Sequence, residues 1–250
     1  MEIVGINNKT IKDIVKLQQK KYRQATGKFL LEGYKCISEA ANSGIDIEHV
    51  FILPDKIKKY DFIKNKIITT TEPVLKKIST TDSTPESVAV AYKPENKIEN
   101  LKNANKVILL ENISDAGNLG TIIRCAAAFK IDAIILYGDT VDVYNPKCVR
   151  SAVGNLWKTN IFTINSINEL NHCFSDFEKF ATVPKNKNSI DFKNWTPQKR
   201  TLVMFGSEAD GLSDSLLNFA DKNLTIEMNP EVESLNLSIS ASLIMYKMFI

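Results

Sequence analysis

Two histidines in 250 residues, and four cysteines without one C-x-x-C spacing, leave little material for a metal centre. Cys36, Cys125, Cys148 and Cys173 read instead as free thiols in a reducing compartment. No apolar run is long enough to span a bilayer, and the opening MEIVGINNKT carries no signal-peptide pattern. These features together predict a cytoplasmic protein without metal or membrane partners. Internal repeats and low-complexity tracts are missing, and so is G-x-G-x-x-G, which disfavours an ordinary dinucleotide-binding protein. Strong net charge is missing too: +3 is too small to argue for nucleic acid by itself.

The distribution of that charge says more. Residues 9–28 hold Lys9, Lys12, Lys16, Lys20, Lys21, Arg23 and Lys28 against Asp13 alone, so the rest of the chain is slightly acidic. A basic N-terminal helix on such a body suggests a local contact with a polyanion, although a Lys-rich run is more commonly a solvated face. Hydrophobic content of 44% supports an ordinary globular core, and 250 residues suffice for two modest domains or one large α/β domain.

The chain is organised around residues 107–137. Val107 to Leu110 form a short continuous apolar run, as expected of a strand covered on both faces. A loop of Asn, Asp, Ser and Gly follows. From Leu119, apolar residues recur at 119, 122, 123, 126 and 127, which is helical spacing, and Ala133 to Tyr137 close the unit as a second strand. Such β-loop-α-β crossovers put ligands in the loops at the carboxyl ends of their strands. Asn112, Asn118, Gly120 and Arg124 form N-x5-N-x-G-x3-R, with the arginine two turns into a largely apolar helix. Either that loop holds a ligand, or an Asn caps the helix and Arg124 snorkels to water.

Before this unit, a Lys/Gln-rich helix over 8–26 leads into alternating strands and helices: 29–33, 34–44, 47–54, 66–71, 72–79 and 87–94. They make a small α/β unit over residues 1–96. The polar stretch 93–106 looks like a linker, placed at 97–105, and residues 106–250 form the second domain. There, Asn145-Pro146 opens a helix through Trp157 and 160–164 is a strand. Ser166 with Glu169 caps a helix through Phe177. Strands at 179–184, 201–206 and 223–228, a polar loop over 185–200, a short helix over 214–221 and a last helix over 233–250 complete it. Strands alternating with helices predict an α/β fold with a mostly parallel sheet.

Two further loops after apolar strands carry chemistry. Gly206-Ser207-Glu208-Ala209-Asp210-Gly211-Leu212 frames one carboxylate between glycines that permit close backbone approach or positive φ. Glu233-Ser234-Leu235-Asn236 opens the last helix with small polar groups and free backbone N–H donors. Each has a mundane reading as a turn or a cap. Their order, each after a strand, makes the set specific.

On N-x5-N-x-G-x3-R at 112–124, G-S-E-x2-G-L at 206–212 and S-L-N at 234–236, the chain resembles the SpoU (TrmH-like) group of the SPOUT methyltransferases. Asn145-Pro146 and Arg150 match a further segment. Residues 29–40, FLLEGYKCISEA, are similar to the L30e-like substrate-binding domain of the rRNA members. The resemblance implies transfer of methyl from S-adenosylmethionine to a ribose 2′-hydroxyl of RNA, 23S rRNA before tRNA. It also implies a C-terminal deep trefoil knot and an obligate homodimer with sites completed across the interface. Arg124, Glu208, Ser234 and Asn236 would sit at the reacting ribose. Gly206, Gly211, Ile226 and Leu235 would bind the cofactor, with Thr182 and Leu202 as neighbours. RNA would contact Asn112, Asn118 and Arg150, and charge adds Lys16, Lys20, Lys21, Arg23 and Lys28.

The family proposal makes the arginine a general base. A guanidinium that is always protonated serves at least as well as a fixed cation beside the developing alkoxide, with Glu208 holding it in place. Two residues depart from the family pattern. Ala116 stands where many members have Pro, and Glu227 where I-P-M is common, which puts a carboxylate beside the cofactor strand. A non-catalytic RNA-binding factor with the same fold is the rival reading, and intact Arg124, Glu208 and Asn236 count against it.

Overall fold

The computed structural model describes residues 2–96 and 98–250. It separates into two compact units, residues 1–95 with 142–157 and residues 96–141 with 158–250. Sequence reading had kept 142–157 with the second domain.

In the first unit the chain runs β1 (Glu2–Ile3), α1 (Lys9–Lys16), α2 (Lys20–Thr26), β2 (Lys28–Glu32), α3 (Tyr34–Asn42), β3 (Ile47–Ile52), β4 (Ile67–Thr70), α4 (Glu72–Ile78) and β5 (Ser87–Tyr92). The sheet order is β1-β4-β3-β5-β2. β4 is parallel to β1 and β3, and β5 is antiparallel to β2 and β3. Ile11, Ile14 and Leu17 pack with Leu30, Phe51, Val74, Leu75 and Val88.

The helix expected over 8–26 is broken. α1 stops at Lys16, and the carbonyls of Leu17 and Gln18 each accept from Arg23 Nη1 at 2.9 Å. Gln18 meanwhile donates to the Ile78 and Ser79 carbonyls at 3.3 and 3.1 Å, which ties the break to the end of α4. Side chains that satisfy the freed backbone groups let the helix turn there without orphaned carbonyls.

The second unit holds β6 (Lys106–Glu111), α5 (Ala116–Ala128) and β7 (Ala133–Tyr137). α6 (Pro146–Ser151) follows in sequence but groups with the first unit. Then come β8 (Asn160–Ile164), α7 (Ile167–Cys173), β9 (Glu178–Thr182), β10 (Ser189–Asp191), β11 (Thr201–Phe205), α8 (Asp214–Phe219), β12 (Lys222–Thr225) and α9 (Leu237–Phe249). The seven strands lie in the order β10-β12-β9-β11-β6-β7-β8, and every pairing is parallel. The central pair, β6 and β11, buries Val107 to Leu110 and Leu202 to Phe205 almost completely. A strand covered on both faces needs that unbroken apolar run, and each such side chain contributes about 1.5–3 kcal/mol of burial.

Several boundaries differ from the sequence reading. The polar stretch 93–106 is not wholly a linker, because Leu101 and Ala104 sit in the second unit's core. The 185–200 loop contains β10, and Trp195 is buried against Phe180 with ring centroids 5.3 Å apart. α6 ends at Ser151 rather than Trp157, because Val153 and Gly154 adopt left-handed φ of 49° and 76°. Among the described residues no helix is long and apolar enough to cross a membrane, and no cluster of His, Cys, Asp or Glu is placed to hold a metal ion.

Candidate active site

Three loops leave the carboxyl ends of β6, β11 and β12, and their side chains meet. The first begins with Glu111 and Asn112. Asn112 adopts φ 53°, and its Oδ1 accepts from the Asp139 N–H at 2.8 Å. This shapes the turn through the amide oxygen and leaves the Nδ2 donor of the exposed Asn112 without a role in it. Asp115, not an asparagine, caps α5, its Oδ1 accepting from the Asn118 N–H at 2.7 Å. Such a cap is worth about 1 kcal/mol and fixes where the helix starts.

That cap positions Asn118, which joins the other two loops. Asn118 Nδ2 donates to Glu208 Oε1 at 2.6 Å, and Asn118 Oδ1 accepts from Asn236 Nδ2 at 3.2 Å. Asn236 Oδ1 in turn caps α9, accepting from the Ser238 N–H at 2.9 Å and the Ser238 hydroxyl at 2.6 Å. An ionised carboxylate only accepts, so its presence sets the orientation of both amides along the chain. Glu208, Asn118 and Asn236 thus form one directional network from three segments far apart in sequence. The sequence reading gave Asn118 to RNA and missed this central place.

The 206–212 loop is held by its backbone. Ser207 N–H donates to the Gly211 carbonyl and Gly211 N–H to the Ser207 carbonyl, both at 3.1 Å. A Cβ on Gly206 would lie 1.9 Å from the Gly211 carbonyl carbon, so only glycine fits there. Gly211 itself takes φ 69°, which closes the turn. Ser213 N–H donates to the buried Glu111 carboxylate at 2.8 Å, fastening the loop's exit to the end of β6.

Beside this network the strand ends present a mixed wall. Gly206, Ile226 and Leu235 are half-buried, Ser234 is exposed, and the Thr182 hydroxyl donates to the Met204 carbonyl at 2.8 Å. Leu202 departs from expectation: it is fully buried in the core with Val107, Leu109 and Met204, so it supports β11 rather than facing a ligand. Backbone groups and two aliphatic side chains suit the flat apolar face of an adenine ring. Glu227 does not spoil that wall. Its carboxylate binds Lys185 and also Lys193 at 2.7 Å, and these lysines hold its pKa down at about 2.

Arg124 stands apart. It is exposed on α5 and, among the described residues, makes no ion pair or hydrogen bond. Glu208, expected to hold it, binds Asn118 instead. Its neighbour Cys125 accepts from the Ser242 hydroxyl of α9 at 3.1 Å, which places Arg124 beside the α5–α9 seam.

The charged residues of the first unit divide. Lys20 and Lys21 are exposed, and Lys16 is exposed though paired with Asp13 at 2.7 Å. Arg23 is not available to a polyanion. It is 1% exposed and bound to Asp142 at 2.7 Å, because burial of a guanidinium demands a counter-charge. Lys28 pairs with Glu48 at 2.7 Å, and Arg150 is committed to the buried Glu32 at 3.0 Å and to the Thr80 hydroxyl.

Comparison with known proteins fits this geometry. Residues 105–246 match the model of the SpoU rRNA Methylase family, and residues 8–89 match an MRM3-like substrate binding domain. The 23S rRNA (guanosine(2553)-2′-O)-methyltransferase RlmP of Bacillus subtilis is 28% identical, over 98% of both chains. Among solved structures, an RNA 2′-O ribose methyltransferase is 26% identical with a TM-score of 0.85, covering 99% of this chain and 97% of that one. The AdoMet-bound rRNA methyltransferase of Sinorhizobium meliloti shares the fold at a TM-score of 0.88 and 24% identity, covering 99% and 96%. A parallel sheet whose strand ends carry the joined 112–124, 206–212 and 234–236 loops, within a match spanning 105–246, places this chain in the SpoU rRNA methylase family.

Proposed function

We propose that this protein transfers methyl from S-adenosylmethionine to a ribose 2′-hydroxyl of 23S rRNA. The observation that carries the reading is the Glu208–Asn118–Asn236 network, which joins all three motif loops at the strand ends. When bound, the cofactor supplies a methyl already activated on a sulfonium. The chain must then orient a weakly acidic hydroxyl and stabilise the charge that develops on it. Glu208 and Asn236, fixed through Asn118, offer an acceptor and an amide for the ribose, and Ser234 and Leu235 lie on the same loop. Gly206, Gly211, Ile226, Leu235 and Thr182 are assigned to the cofactor. We assign RNA holding to residues 1–96 and chemistry to 106–250, working in the cytoplasm. The fold's likeness to solved family members supports a knotted C-terminal segment.

An exposed, unpaired Arg124 is free to meet a partner surface, and the neighbouring helix supports a homodimer that supplies one. Ile239, Leu243, Tyr246 and Ile250 recur along one side of α9 and are 38–75% exposed. A charge-free apolar stripe of this kind on a short helix is what a two-fold interface buries. Leu243→Glu is expected to halve the mass seen by light scattering, from twice 28.1 kDa to 28.1 kDa, and to remove methyl transfer with it. A variant that stays dimeric and active would move the interface elsewhere.

The direct test is transfer of radiolabelled methyl to unmodified 23S rRNA. Label recovered in a 2′-O-methyl nucleotide supports the reading, label in tRNA alone changes the substrate, and no label with RNA still bound favours a non-catalytic factor. For the RNA contact, Lys12, Lys20 and Lys21 are exposed on α1 and α2 without an ion-pair partner among the described residues. Changing all three to Gln is expected to flatten the slope of log K against log salt by about two. An unchanged slope would make this face merely solvated.

A further inference from the structure

Residues 54–66, PDKIKKYDFIKNK, connect β3 to β4 and hold five lysines against two aspartates. The segment is a pair of 3-10 turns, kinked where Tyr60 (φ −108°, ψ 23°) and Ile63 (φ −133°, ψ 27°) leave helical geometry. Tyr60 is fully buried, and its hydroxyl is held by Ser87. Two residues on, Phe62 is 46% exposed, an unusual place for a large aromatic ring beside lysines.

The three rings form one cluster. Tyr34, which opens α3, meets Tyr60 edge-on with centroids 5.3 Å apart at 83°. Phe62 lies 6.1 Å from Tyr60 at 27°, and 6.1 Å from Tyr34 at 82°. Lys59 Nζ sits 4.4 Å from the Tyr34 ring centre and is braced by Glu86 at 2.7 Å. Lys58 is exposed next to it without an ion-pair partner among the described residues. The cluster is therefore rigid at its base and open at Phe62.

We propose that Phe62 and Tyr34, backed by Tyr60 and edged by Lys58 and Lys59, form a stacking platform for an unpaired base of the RNA substrate. Every base has a π-face, so an exposed ring on a fixed support binds single-stranded RNA without reading its sequence, and the adjacent Lys58 ammonium follows the phosphates. Lysine is depleted from the cores of protein–protein interfaces, so a ring set among lysines fits RNA better than a protein partner. The proposal rests on RNA being the substrate. It adds a contact that acts through stacking, whereas the α1–α2 face acts through charge.

The test uses the full chain with unmodified 23S rRNA. Phe62→Ala is expected to weaken RNA binding about tenfold and raise KM to match, with kcat at saturation and the salt slope preserved. Phe62→Trp keeps a stacking ring, so it should bind like the wild type, and added RNA should quench its emission beyond the change given by Trp157 and Trp195. Wild-type affinity in Phe62→Ala, or no added quenching in Phe62→Trp, overturns the platform. If Phe62→Ala fails to fold, the Phe62→Trp quench decides alone. Failure of the wild type to methylate rRNA would count against the ribose-methylation reading, while RNA quenching of Phe62→Trp would still support the platform.

Discussion

Arg124→Ala is expected to lower methyl transfer by at least about a hundredfold and to leave the dissociation constant for S-adenosylmethionine within about twofold of wild type. The first half follows from charge. As the hydroxyl loses its proton, negative charge builds on oxygen, and removing one fixed donor from such a position costs about 2.7–4 kcal/mol of barrier in well-studied sites. The second half follows from placement. Arg124 lies on the exposed side of α5 with no bond to the 206–212 or 234–236 loops, so deleting its side chain leaves the cofactor wall unaltered. Full turnover in Arg124→Ala would remove this residue from the mechanism. A loss of cofactor binding as large as the loss of rate would make it structural.

The same position separates the two roles an arginine can take. If it acts as a fixed cation, Arg124→Lys retains part of the rate, and that rate does not climb because the lysine deprotonates. If it acts as a base, the lysine variant, whose ammonium yields its proton more readily than a guanidinium, gains activity as pH rises. The pH profile of Arg124→Lys against wild type therefore reads the role directly.

Much of the second unit was legible because buried parallel strands leave a plain record. Val107–Leu110 and Leu202–Phe205 are apolar without alternation because both faces are covered, and the polar loops that follow must sit at their carboxyl ends. The network that joins those loops was not legible. Asn118 lies 90 residues from Glu208 and 118 from Asn236, and nothing local in an Asn tells a cap from a bridge. The basic stretch 9–28 misled in an instructive way. Charge patterning treats Arg23 like its neighbours, but its burial depends on Asp142, 119 residues later. Leu202 misled for the opposite reason. Its place on the right strand was correct, yet only strand ends face a ligand, and Leu202 is the second residue of five.

Asp142→Ala is expected to destabilise the first unit by about 3–5 kcal/mol. Arg23 is sealed among Leu17, Gln18 and the 142–157 segment, with side-chain exposures of 2% for Arg23 and 11% for Asp142. Its Nη1 satisfies the two carbonyls released where α1 breaks, but those carbonyls carry no net charge, and among the described residues Asp142 alone neutralises the guanidinium. Asp142 also accepts from the Tyr144 N–H at 3.0 Å, so its loss loosens the start of the returning segment as well. Removing one partner of a buried pair leaves the other charged and desolvated, whereas removing both does not. Arg23→Met combined with Asp142→Ala should therefore recover a large part of what Asp142→Ala loses, giving a favourable coupling in the double-mutant cycle. Urea unfolding in a Trp195→Phe background, where Trp157 alone reports on the first unit, measures all four corners. If the double variant is simply the sum of the singles, the two residues act independently, and the break at Leu17 owes its stability to packing rather than to this ion pair.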